Sequence, residues 1–172
     1  MSICERATVV FLRDGEGRIC LAQKKQDIHK ANGEVLKKSN RWNGYGGKCE
    51  GKEFLATAVD ELFFEAGVRA NQSDLELVGR IHFFWPMNKS GHPDMDVCFF
   101  FLDRFIMTPV ETAEMGPPRF FEGEEIPYQD MMPADCFFLP LFLKGEKLTG
   151  RVRFRKGNSP LFEIIDGNPT MV

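Results

Sequence analysis

Three glycines, Gly44, Gly46 and Gly47, stand directly ahead of a helix-like pattern that ends at a fourth, Gly67. Residues 46–68 read GGKCEGKEFLATAVDELFFEAGV. Phe54, Leu55, Ala58, Leu62 and Ala66 recur at helical spacing, so a helix is expected from about Glu53 to Ala66. Gly67 then falls where a left-handed C-cap belongs. Glu61 and Glu65 lie four apart, hence on one helix face about one turn from each other. Like charges that close repel. A hard cation such as Mg2+ between them removes the repulsion and gains oxygen ligands, with substrate phosphates completing its shell. The glycines let backbone groups come close to a metal or a phosphate. Solvated helix faces present such pairs as well, so the residues by themselves leave both readings open.

The flanking sequence reads mainly as strands. Ala7 to Leu12 is a buried strand, Asp14 to Gly17 a turn, and Arg18 to Gln23 the returning strand of a hairpin. Lys24 to Arg41, with five lysines, reads as an exposed loop that has room for a helical turn. Leu75 to Trp85 and Met95 to Leu102 are long strands; Phe105 to Val110 and Arg119 to Phe121 are weaker candidates. Pro133 suits the first turn of a helix running to about Leu143, with Pro140 kinking it or constraining its start. Arg151 to Arg155 alternates like a last strand, an amphipathic edge with its arginines in solvent. This order predicts a mixed α+β domain rather than a doubly wound one. At 172 residues, one domain over 1–172 is expected.

A net charge of −3 argues against a protein that binds nucleic acid by neutralising phosphates. No apolar run reaches the roughly 18 residues of a membrane helix. Met1 to Arg6 lacks a signal-peptide pattern, which predicts a cytoplasmic protein. The five cysteines, Cys4, Cys20, Cys49, Cys98 and Cys136, have no C-x-x-C spacing and read as free thiols in a reducing compartment. His29, His82 and His92 show no metal-ligand spacing.

The 46–68 segment resembles the signature of Nudix hydrolases, Gly-x5-Glu-x7-Arg-Glu-U-x-Glu-Glu-x-Gly-U with U bulky and aliphatic. Gly47, Glu61, Leu62, Glu65, Gly67 and Val68 match it. The similarity continues through residues 41–48, 95–97, 108–111, 114–115 and 126–131, and is closest to the eukaryotic-type branch that hydrolyses oxidised purine nucleoside triphosphates. Asp60 stands where the family has an arginine that orients a catalytic glutamate, Phe64 replaces the middle glutamate, and one residue is missing between Gly47 and Asp60. Phe64 follows Glu61 by three residues and is expected to border the same face.

The resemblance implies a Nudix fold, a mixed sheet sandwiched between helices. It also implies Mg2+-dependent hydrolysis of a nucleoside triphosphate or related nucleoside diphosphate derivative, with Mn2+ as an alternative ion. Gly46, Glu61 and Glu65 match metal-site positions, and Glu61 or Glu114 would orient or deprotonate the water. Thr8, Lys24, Asn43, Phe83, Met132 and Asp135 match substrate-binding positions. Asn43 can present a donor and an acceptor to a purine edge; in the family Met132 is a stacking tryptophan, and Asp135 is the second of two aspartates whose first is Ala134 here. Phe83 reads equally as plain core. The expected partner is a small nucleotide, with neither duplex nucleic acid nor membrane, for a monomer or homodimer. Asp60 and Phe64 favour a second reading, a catalytically impaired Nudix domain that binds nucleotide or regulates.

Overall fold

The computed structural model describes residues 4–29, 35–36, 39–157 and 159–172. Its elements are β1 (Glu5–Leu12), β2 (Ile19–Gln23), β3 (Ile28–His29), β4 (Val35–Leu36), β5 (Trp42–Asn43), α1 (Phe54–Ala66), β6 (Glu76–Phe84), β7 (Met95–Leu102), β8 (Arg119–Phe121), α2 (Asp135–Leu143), β9 (Leu148–Phe154) and β10 (Pro160–Asp166).

The architecture follows from β7, MDVCFFFL, in which every residue after Met95 is buried. A strand buried on both faces has no need of polar alternation, but it must be covered twice. Val97, Phe99 and Phe101 pack with Phe11 and Ile81 against Phe138, Leu139 and Phe142 of α2. Cys98, Phe100 and Leu102 pack with Val10 and Leu12 against Phe54, Ala58, Leu62 and Ala66 of α1. The sheet runs β1-β7-β6-β9-β10. β1 is parallel to β7 and β6 to β9, while β7–β6 and β9–β10 are antiparallel. This is the mixed sheet between helices that the sequence resemblance implied. At Gly79 an added Cβ would lie 2.1 Å from the Phe142 ring, so the bare backbone there is what lets α2 come down on the sheet.

Several local expectations change. β2 does not return along β1: after one bridge, Arg13 to Ile19, it leaves to pair with β5 and β8 in a second sheet. The edge of β1 is already occupied, by β7 on one side and on the other by bridges from Val10 to Tyr45 and Ala7 to Lys48. Between Lys24 and Arg41 the described residues include the short β3–β4 ladder and no helical turn; residues 30–34 and 37–38 lie outside the described residues, as do Met1 to Ile3 of the N-terminal reading. Phe105 to Val110 forms no strand. α2 begins at Asp135, after Pro133, and Pro140 sits inside it.

β9 is neither the last strand nor an edge, because β10 follows and covers it. Arg151 and Arg153 lie over the Phe84 ring, and Arg151 also faces Glu163 on β10. All five cysteines are free. No described helix is long and apolar enough to cross a membrane.

Candidate active site

The helix α1 carries the central carboxylates. Phe54, Ala58, Leu62 and Ala66 bury its inner stripe, and Glu65, beside that stripe, is dragged in to 1% exposure. Glu61, one turn earlier, is half-buried. On the outer side Phe63 and Phe64 are 39% and 65% exposed, with ring centroids 6.1 Å apart.

The helix ends at Gly67, whose φ of 69° is the left-handed cap expected from sequence and whose N–H donates to Phe63 O at 2.9 Å. The next free carbonyls of α1 are satisfied from a distant loop: Val110 N–H donates to Ala66 O (2.9 Å) and the Thr112 hydroxyl to Glu65 O (3.0 Å). Helix C-termini leave such acceptors open, and here they dock the segment that carries Glu114. Lys25 N–H, donating to Glu114 O at 2.9 Å, holds that segment from the other side.

The glycine run is required by close approach rather than by unusual dihedrals, since none of the three has a positive φ. A Cβ at Gly46 would stand 1.9 Å from Thr8 O, and one at Gly44 2.8 Å from Val10 O. At Gly47 it would meet the Glu61 carboxyl carbon at 2.8 Å. The loop is therefore pressed between β1 and the helix carboxylates. Gly46 N–H donates to Glu65 Oε2 at 2.7 Å, and the Lys24 ammonium donates to Glu65 Oε1 at 2.5 Å. Burial pushes the Glu65 carboxyl above its ordinary range against the opposing pull of Lys24 and the Gly46 amide. Burial also raises Glu61, with the nearby charges of Glu65 and Glu114 adding to it and Lys24 opposing.

These groups share one cleft of about 470 Å³. It brings together Thr8, Lys24, Asn43, Gly46, Glu61, Glu65 and Glu114. Ala7, Val9, Met95 and Val97 supply its apolar floor. The Thr8 hydroxyl is buried there without a hydrogen-bond partner. Gln26, Asp27, Gly44, Gly47, Lys48 and Glu50 also line it; Gln26, Asp27, Lys48, Glu50 and the floor residues were not expected as site residues from sequence. Glu50 carried a local signal, since it directly precedes Gly51 in the turn before α1, and it adopts a φ of 49° there.

Phe83, Met132 and Asp135 are not part of the lining. Phe83 pairs in register with Met95 of the floor, and its ring packs on Trp85, Phe138 and Phe154. Asp135 is buried at the first turn of α2, and Met132 is half-buried just before it. Asp60 pairs with Lys52 at 2.8 Å and lies outside the lining of the cleft. Phe64 likewise turns away from the cleft that it was expected to border.

A second, more open depression of about 530 Å³ lies between Arg69, Asp74, Asp103 and Arg104. All four are exposed, so it offers no desolvated group for chemistry.

For a divalent ion the site is partly built. Among the described residues no group of three or more His, Cys, Asp or Glu converges closely enough to hold one. Glu61, Glu65 and the Gly46 carbonyl are hard oxygen donors, and the Lys24 ammonium already stands as a cation among them, 3.4 Å from Gly46 O. Mg2+ commonly takes only one or two carboxylates, with water and substrate phosphates filling the remaining positions, so the donor set fits.

A mixed sheet between two helices, with a glycine loop folded onto paired helix glutamates, defines a class. A family model described as the NUDIX domain matches residues 5–142, and the chain belongs to the Nudix hydrolase family. Over 119 residues it is 37% identical to an oxidized purine nucleoside triphosphate hydrolase of Mus musculus, covering 68% of this chain and 72% of that one. A protein of the same description from Danio rerio is 30% identical over 141 residues, 81% of this chain and 80% of the relative. The crystal structure of a mutator MutT protein from Bacillus halodurans superposes with a TM-score of 0.71 at 19% identity, covering 96% of this chain and 99% of that one.

Proposed function

We propose that the cleft hydrolyses a phosphoanhydride bond of a nucleoside triphosphate, an oxidised purine nucleotide being the first candidate, with Mg2+ as the ion and Mn2+ able to replace it. The observation that carries this reading is the charge of the cleft. Among the described lining residues Glu50, Glu61, Glu65 and Glu114 stand with Lys24 and Lys48, and Lys24 is already paired with Glu65 at 2.5 Å and Lys48 with Glu5 at 2.8 Å. A polyphosphate is repelled by such a surface unless divalent cations enter with it. The oxidised purine is suggested by the descriptions of the two relatives.

Glu61, Glu65 and the Gly46 carbonyl would hold the ion, which when bound neutralises phosphate oxygens and the leaving group. The chain itself supplies orientation and a proton acceptor. Glu65 is locked by the Gly46 amide and Lys24, so its oxygens are fixed in place. Glu61 is half-buried, its basicity is raised, and it is thereby suited to take the proton of the attacking water. The water oxygen forms a bond to phosphorus, the bridging P–O bond breaks, and its electron pair leaves with the departing phosphate. Glu114, delivered by the loop docked on α1, faces the same space and serves as the second candidate for orienting that water.

Beyond the phosphate site, the Thr8 hydroxyl, without a partner among the described residues, and the Asn43 amide would read a base over an apolar floor, a role supported by their place in the cleft lining. Phe83 would bear on the base only through Met95, its register partner in the floor, while Met132 and Asp135 are carried as base-site candidates by the resemblance alone. We further propose one domain over 1–172, supported by β9 and β10 joining the main sheet. Five free thiols favour a reducing compartment such as the cytoplasm.

The test is a nucleotide panel assayed for phosphate and pyrophosphate release with Mg2+ and with Mn2+, and with thermal-shift binding alongside. Release from one or more triphosphates is expected. Binding without release would instead select the impaired, nucleotide-binding reading that Asp60 and Phe64 suggested.

A further inference from the structure

Both oxygens of Glu65 are engaged by groups of the chain itself. Oε2 accepts the Gly46 N–H at 2.7 Å and Oε1 the Lys24 ammonium at 2.5 Å. Lys24 Nζ is also 3.4 Å from the Gly46 carbonyl oxygen. The ammonium is thus held between a carboxylate and a carbonyl, the donor types that a hard divalent ion selects. Lys24 and Glu65 side chains are only 15% and 1% exposed, so water screens the pair poorly. A second cation at Oε1 would meet the ammonium within a few ångströms.

The backbone of Lys24 is anchored, and a flexible four-carbon stem separates its ammonium from that anchor. Lys24 N–H donates to Arg41 O at 3.0 Å and Lys24 O accepts the Asn40 N–H at 2.7 Å. Its head can therefore change partners by side-chain rotation alone, inside the cleft it already lines.

We propose that Lys24 is a tethered cation that fills one cation position of the substrate-free site, and that a metal ion reaches Glu65 only as the ammonium transfers to a phosphate oxygen of the incoming nucleotide. The inference rests on the reading of Glu61 and Glu65 as metal ligands. It makes metal and nucleotide binding support one another, since each removes an obstacle to the other. In the resting protein Glu61 is the helix carboxylate left open to a free ion, because it makes no hydrogen bond among the described residues.

The experiment titrates Mn2+ alone, without nucleotide, into the full chain and its Lys24→Met, Lys24→Gln and Lys24→Arg variants. Calorimetry reads affinity and thermal shift reads the stabilisation by metal, both at a pH well above the carboxylate range. The two neutral variants are expected to bind Mn2+ roughly ten-fold tighter or more than the wild type, and to gain more thermal stability from it. Lys24→Arg, which keeps the charge, should stay near the wild type. If Lys24→Met fails to fold, Lys24→Gln decides alone, since it retains a donor to Glu65 without the charge. Neutral variants that bind Mn2+ no tighter than the wild type overturn the proposal. Folded proteins that bind no Mn2+ in any version overturn the metal-site reading beneath it as well.

Discussion

Adding one methyl group at Gly46 is the sharpest test of how the site is assembled. In Gly46→Ala the new Cβ would stand 1.9 Å from Thr8 O, 2.7 Å from Thr8 C and 2.9 Å from Val9 Cα. All three are backbone atoms of β1, and non-bonded carbon and oxygen need upwards of about 3.2 Å. Something must therefore move by more than about 1 Å. β1 cannot yield easily, being in register with β7 over its whole length from Glu5 to Leu12.

The glycine loop is left to move, and its hydrogen bonds are the cost. They are Thr8 N–H to Gly47 O (2.9 Å), Val10 N–H to Tyr45 O (2.6 Å), Tyr45 N–H to Val10 O (2.9 Å) and Gly46 N–H to Glu65 Oε2 (2.7 Å). A neutral bond contributes about 0.5–1.5 kcal/mol and one to a carboxylate about 1.5–3, so disrupting the set costs roughly 3 kcal/mol or more. For a chain of this size that is a fall in Tm of about 6–12 °C. Urea unfolding and calorimetry measure it, with Gly15→Ala as control because nothing lies within 4 Å of a Cβ there. The control should stay within about 0.5 kcal/mol of the wild type. A loss below about 1 kcal/mol for Gly46→Ala, with an unchanged denaturant slope, would refute the close-approach argument.

Glu61→Gln should lower kcat by about 10²–10⁴-fold, and a rate within ten-fold of the wild type would remove Glu61 as the proton acceptor. The same variant carries a pH signature in the metal-free protein. Because the folded Glu61 carboxyl is raised above its ordinary 4.5, the folded state binds the extra proton, and stability falls as pH rises from 4.5 through the raised value. Glu61→Gln should flatten that fall, and an unchanged slope in Tm against pH would contradict the burial reading. Thr112→Val removes the hydroxyl that donates to Glu65 O, so it should cost about 1 kcal/mol and lower kcat by loosening the loop that presents Glu114; stability lost without any change in rate would separate that loop from the chemistry. Phe64 is exposed, so Phe64→Glu should change stability by no more than about 0.5 kcal/mol. Because residue 64 faces away from the cleft, the added carboxylate should leave the calorimetric Mn2+ affinity unchanged; a roughly ten-fold gain would place residue 64 inside the site.

Local pattern alone determined the helix α1, its Gly67 cap, the strand β7 and the pairing of Glu61 with Glu65 on one helix face. Each rests on spacing within a dozen or so residues, where backbone geometry dictates which side chains share a side. Partnership between distant segments is another matter, because a strand edge or a charge can be satisfied by several rivals. Arg18 to Gln23 had every mark of a hairpin return, yet the Gly44–Lys48 segment took the edge of β1 and sent β2 into another sheet. The outward turn of Phe64 and the covering of β9 by β10 depend likewise on what packs where. The most consequential decision joins Lys24 to Glu65 across 41 positions. Nothing near either residue announces that pairing. It exists because folding buries one carboxylate beneath the glycine loop, and a buried charge must find an opposite charge close by.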